Sequence, residues 1–221
     1  MEIASTWPIR LSLIPLKERF LDLILSLYSY NEYQGYRQLE GLIDELTCRT
    51  LVPDWFLEGM RKHANDEKKH YQMFKHYFAN EGRMPFDVSR SIGQYDLLVR
   101  LVMGVWPPSL GERIFNEADV LPQLVRLIIA TEIRELNEVR KILGWRWIQE
   151  HQRLKNIFTV IEADEPSHYL PYEAWLKATG ARLPGSRERF WDHALHLFLS
   201  VCVIPVHFFN PFLKRRTQFQ D

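Results

Sequence analysis

The chain has 221 residues and is 46% apolar, enough to bury one sizeable core without a second domain. Its 28 basic and 28 acidic residues cancel, so no net field gathers a polyanion, which argues against nucleic acid as a general partner. Two cysteines, Cys48 and Cys202, far apart and in apolar surroundings, exclude a cysteine-rich metal site and read as reduced core thiols rather than a disulfide framework.

The first stretch, "MEIASTWPIRLSLIPLKERF", carries Glu2 early and is interrupted by Pro8 and Pro15, so it does not read as a secretory signal. Apolar residues then recur at helical spacing and strand-like alternation is scarce, which predicts an all-α domain over 1–221. A first helix is expected over 16–50, a turn at "LVPD", and a second helix over 55–79 that stops at "NEGRMP". Residues 80–117 differ in texture and read as a long connection carrying one short helix, "QYDLLVRLVMGV". A third helix is expected over 118–147, a fourth over 153–179, closed by "TGARLPGS", and a last helix over about 187–213. The core of the bundle is thus expected over about 16–179, with two helical hairpins joined by one long crossover. From 194 to 213 there is no formal charge, and "KRR" follows. That stretch, broken by Pro205 and Pro211, is expected to be a buried or interface-forming terminal helix, with membrane contact the alternative.

Two stretches share one pattern: "ANDEKKH" at 64–70 and "IEADEPSH" at 161–168 each end in Glu, two residues, His. One helical turn separates the two side chains, so Glu67 with His70, and Glu165 with His168, project from the same face. Glu67 lies on a stripe with Phe56, Met60, Phe74 and Phe78, and Glu165 on one with Phe158, Ile161, Tyr172 and Leu176. In the third helix Leu121, Val125 and Ile128 lead to Glu132, and Leu136 and Val139 continue beyond it. In the first helix Glu40 follows Tyr33 and Tyr36, and stands about as far before Pro53 as Glu67 stands after it. Each of four helices therefore offers an inward carboxylate. Together they would repel one another in a poorly solvated core unless protons or cations neutralise them. Oxygen and nitrogen donors without thiolate suit iron or manganese. The competing reading is a bundle whose carboxylates pair with Arg37 and Arg134.

Several positions keep two readings. Pro166 and Pro171 each remove a backbone donor and predict a kink or π-bulge, or a helix that begins at 166 with Glu165 as its cap. Glu162 is then the alternative fourth-helix ligand. Glu135 is the corresponding spare for Glu132, or simply exposed. His63, one turn before Glu67, is an extra ligand or a packed histidine. Tyr36 is a redox-active group beside the metals or a core aromatic. Asp192, His193 and His196 read as a polar helix face.

The pattern resembles the ferritin-like di-iron carboxylate superfamily, in which helix one gives a Glu, helix two a Glu-x-x-His, helix three a Glu and helix four a Glu-x-x-His. The resemblance covers residues 16–179. It implies Glu40, Glu67, His70, Glu132, Glu165 and His168 as metal ligands, two iron ions as the cofactor with manganese the alternative, and a ferritin-like four-helix bundle with an added C-terminal helix. The 33 residues from Glu132 to Glu165 are typical of the family, whereas the 27 from Glu40 to Glu67 imply a tighter first hairpin. The implied activity is that of an oxygen-activating oxidase or hydroxylase. Dioxygen or peroxide would be its co-substrate, a small or apolar molecule its substrate, and a separate reductase its electron source. A modified tRNA base stays open through one branch of the superfamily. Alternatives are a membrane-surface quinone or lipid oxidase, a peroxide-scavenging di-metal protein and a non-enzymatic helical interaction bundle. The expected location is cytoplasmic or peripheral to a membrane through 194–213, and a homodimer fits the terminal helix.

Overall fold

A computed structural model describes residues 15–48, 51–89, 94–104 and 110–220. The reading of the first stretch concerns residues that, apart from its last few, lie outside the described ones. Four long helices carry the core: α1 (Leu16–Cys48), α2 (Asp54–Asn80), α5 (Val120–Leu143) and α7 (Gln152–Ala178). Between them lie short α3 (Gln94–Leu98), which runs into a π-helical turn at Val99–Met103, then α4 (Leu110–Asn116) and α6 (Arg146–Gln149). The chain closes with α8 (Ser186–Phe198), a second π-helical turn (Leu199–Val203) and α9 (Ile204–Phe209). Among the described residues the only β feature is an isolated bridge between Phe86 and Arg215.

The apolar spacing of each long helix decides what it packs on. In α1 the buried row is Leu25, Ser29, Glu32, Tyr36, Leu39, Ile43 and Leu46, and it faces α2. Side-chain pairs show the directions. Tyr28 meets Phe74 and Tyr36 meets Tyr71, so α1 and α2 are antiparallel. Phe74 meets Phe158 while Phe56 meets Trp175, so α2 and α7 are antiparallel as well. Arg140 pairs with Glu162 and Glu132 with His168, which sets α5 antiparallel to α7. Hence α2 and α5 run the same way, and residues 81–119 must travel the length of the helices.

Two buried clusters flank the middle of these helices. One is built on Phe56, Leu57, Met60, Leu124 and Tyr172, the other on Phe74, Phe78, Phe158 and Ile161. Leu98 and Val99 of the crossover join the first. Burying each such side chain contributes about 1.5–3 kcal/mol.

Three expectations change here. The third helix ends at Leu143 rather than 147, because Gly144 follows and 146–149 form a separate turn. The prolines of α7 neither start nor break it: the α-helix runs from Gln152 to Ala178 through Pro166 and Pro171. Space for Pro171 comes from Gly59 on α2, where a Cβ would stand 2.5 Å from the proline Cβ. Both cysteines are exposed, not core thiols: Cys48 is the last residue of α1 and Cys202 lies in the second π turn.

Candidate metal centre

The long helices bring their acidic and imidazole side chains to one level between the two apolar clusters. His63, Glu67, Glu132 and His168 are all buried and offer ligand atoms within 4.8 Å of one another. Glu32, Glu67 and His70 form a second such group. Glu67 belongs to both. Glu165 is buried beside them, its Oε2 at 3.7 Å from His168 Nδ1.

Of the residues read from the sequence, Glu67, His70, Glu132, Glu165 and His168 are therefore brought together, and Glu40 is not. Glu40 is 40% exposed and paired with Arg37 at 3.3 Å and Lys68 at 3.8 Å. The α1 carboxylate in the cluster is Glu32, whose Oε2 stands 3.2 Å from His70 Nδ1. The turn between α1 and α2 is centred near residue 51 rather than Pro53, so a residue opposite His70 must lie near 32. Glu40 also falls one position off the buried row that contains Leu39. Glu162 stays outside, bound to Arg140 at 3.0 Å. Glu135 flanks the cluster with its side chain 31% exposed and Arg134 at 3.2 Å. Arg134 turns away from the centre, to Asp192 at 3.0 Å and Glu138 at 2.9 Å, and His196 reaches Glu138 at 2.9 Å. Tyr36 packs edge-on against Tyr33 and at a tilt against Tyr71.

His63 takes the place its spacing allowed. It is 2% exposed, with Nε2 at 3.5 Å from Glu132 and 3.6 Å from Glu67, and its ring stacks on His168 at 4.2 Å. Its Nδ1 is hydrogen-bonded to the buried Tyr172 hydroxyl at 3.1 Å. Two aspartates complete the surroundings by crossing between helices. Asp164 on α7 holds His70 Nε2 of α2 at 3.0 Å, and Asp66 on α2 faces His168 Nε2 of α7 at 3.7 Å. Lys69 ties both aspartates together and Lys62 holds Asp66. The signal for these aspartates was in the quoted stretches, since each reads Asp-Glu-x-x-His.

Electrostatics record the crowding. Burial, then the charge of Glu67, raises Glu32 to about 7. Burial, then Glu132, raises Glu165 to about 11, so it carries a proton at neutral pH. Burial alone would lower His63, but Glu132 and Glu67 outweigh it and hold the ring at about 10. Burial and the charge of His63 oppose ionisation of His168, and Asp66, Glu132 and Glu67 bring it to about 10. Glu132 is pushed well below the carboxylate range by the two imidazoles, against its burial.

Do these donors fit metal ions? Glu132 Oε2, Glu165 Oε2 and both ring nitrogens of His168 are buried with no hydrogen-bond partner. Such groups cost about 1–3 kcal/mol each, more when charged. Carboxylate oxygens and imidazole nitrogens converge from α1, α2, α5 and α7, and Asp164 is hydrogen-bonded behind His70 to fix its tautomer. The set fits a metal ion bound by oxygen and nitrogen donors. The fold and this cluster define an all-helical protein with buried His/Glu groups able to hold metal. No known protein family, curated protein or solved structure matches the chain.

Proposed function

We propose that the chain is a ferritin-like di-metal oxidoreductase, an oxygen-activating oxidase or hydroxylase acting on a small or apolar substrate, with iron as the metal. The observation that carries this reading is the convergence of seven donor side chains, from four helices, on one buried level with orphaned ligand atoms at its centre. The parallel run of α2 and α5, which forces a long crossover, agrees with the connectivity of that superfamily.

On this reading Glu32 and His70 would hold one ion and His63, Glu132, Glu165 and His168 the other, with Glu67 within reach of both groups. When bound, the pair would supply reducing equivalents and open positions for dioxygen. Asp164 holds His70 Nε2 so that Nδ1 faces the centre, and Asp66 lies 3.7 Å from His168 Nε2 on that ring's outer side. His168, then Lys62 and Lys69, hold Asp66 below the usual carboxylate range against its burial, and Lys69 with His70 does the same for Asp164. Glu165, protonated without metal, would have to give up that proton to act as a ligand, and the Tyr172 hydroxyl is placed to exchange a proton with His63 Nδ1. Phe56, Tyr172 and Trp175 pack above the cluster and keep water from that side. Electrons would come from a separate reductase.

The test is elemental mass spectrometry on protein purified without an affinity metal, followed by reconstitution with ferrous iron and exposure to air. About two ions per chain with a near-ultraviolet charge-transfer band is the expected result. Glu67→Ala combined with His70→Ala should lose stoichiometric metal while keeping most helicity. A wild-type chain that takes up no iron or manganese overturns the reading.

A further inference from the structure

The segment from Ser186 to Phe209 is long and apolar enough to cross a membrane, and only 11% of its most apolar stretch is buried. Along its outward face Phe190, Leu197, Val201, Val206 and Phe209 are each more than 60% exposed, and Phe212 continues the face beyond the helix. A contiguous patch of this kind is rarely left open to water. Its inward face is committed to the helices beneath. Glu188 pairs with Arg126 at 3.0 Å and Asp192 with Arg134 at 3.0 Å. At the far end Arg19 donates to the carbonyls of Phe208 at 2.8 Å and Asn210 at 2.6 Å. Crossing a bilayer would carry these ionic groups into hydrocarbon, so the segment cannot span while docked.

The charges select among coverings. Both acidic residues of 186–220, Glu188 and Asp192, point inward and are buried. Within 186–220 the exposed ionised groups are cationic, Arg187 and Arg189 before the apolar face and Lys214 after it, and the exposed Asp87 beside Lys214 is paired with Arg216 at 3.3 Å. A second copy packed antiparallel on this face would set cation against cation. An anionic bilayer surface complements both ends at once. Beside α9, Phe20 bridges Phe208 at 6.0 Å and Trp147 at 6.3 Å, and Trp147 stacks on Trp145 at 5.1 Å. Half-buried tryptophans at the margin of an apolar face are the side chains that settle at the headgroup level.

We propose that the outward face of α8, the second π turn and α9 lies in the plane of an anionic lipid surface and docks the protein there. This holds independently of what the His/Glu cluster binds. The experiment is flotation of the full chain with phosphatidylcholine vesicles, with and without phosphatidylglycerol, at low and high salt. The expected result is flotation with the anionic vesicles only, weakened by salt. Leu197→Glu with Val206→Glu changes exposed positions and should abolish flotation while far-ultraviolet dichroism is unchanged. Should that pair disturb folding, Arg187→Gln with Arg189→Gln should weaken anionic binding about tenfold or more. Absence of flotation with either vesicle overturns the proposal. So does a lipid-free dimer that Leu197→Glu with Val206→Glu dissociates, which would make this a protein interface.

Discussion

Glu165→Gln separates the structural burden of the centre from its capacity to bind. Without metal, Glu165 is already neutral at pH 7, its carboxyl held at about 11 by burial and by Glu132. An amide of the same shape replaces one neutral group by another, so stability of the metal-free protein should change by less than about 1 kcal/mol. With metal the two side chains differ, because the amide cannot supply an anionic oxygen. At a free metal concentration about a hundredfold above the dissociation constant, one bound ion adds about 2.7 kcal/mol. For a chain of this size that is a rise in melting temperature of roughly 5–10 °C. Loss of one carboxylate ligand that weakens binding about tenfold removes about 1.4 kcal/mol of it, or roughly 3–5 °C. The assay is a thermal melt of wild type and Glu165→Gln, each chelated and then loaded with manganese under argon. An unchanged metal-induced rise in the variant would refute Glu165 as a ligand. A large loss of stability in the chelated variant would refute its protonated state.

Gly35 lies against the shared carboxylate, and a Cβ there would stand 2.5 Å from Glu67 Oε2. Gly35→Ala should therefore lower the metal content per chain, measured by elemental analysis, while helix propensity offsets the contact and keeps metal-free stability within about 1 kcal/mol. Gly59→Ala meets the rigid ring of Pro171 at 2.5 and 2.9 Å and should destabilise by about 1–3 kcal/mol in urea, whereas an unaltered midpoint would mean that α2 and α7 have slack between them. Chelated protein should lose stability as pH rises from about 6.5 to about 10, because folded His63 and His168 keep protons up to about 10 that the unfolded chain releases near 6.5. Urea midpoints that stay flat or rise across that window would show the imidazoles neutral in the folded state.

The doublets were legible because two independent signals coincided: Glu and His one turn apart, on a row of apolar residues. Glu132 needed only the second signal, since α5 is apolar on both sides of it. Glu32 escaped because its row in α1 contains Ser29, which weakens the apolar rhythm, and because Pro53 drew the centre of the turn two residues too late. His63 was visible as a spacing but not as a burial, since a histidine on a helix face is more often packed than bonded. The exposure of Cys48 and Cys202 could not be read from their apolar neighbours, because the neighbours of Cys202 are themselves turned outward. Pro166 and Pro171 predicted a local defect in α7, yet the π-helical turns appear at 99–103 and 199–203 instead. Local chemistry set the odds there, and packing against Gly59 decided the outcome.

Glu67 is the one side chain common to both ligand groups, with Oε1 near His63 and His168 on one side and Glu32 with His70 on the other. On the proposed two-ion reading, sharing would make occupancy communal. An ion that fixed this carboxylate for one group would also fix it for the second, so the first binding event would prepare the next, and by reciprocity the departure of either would loosen the other. Titration with metal should therefore pass from empty to doubly loaded with little singly loaded protein between. The centre would then behave as a switch with two populated states, and partial metal supply would divide the molecules into working and idle fractions.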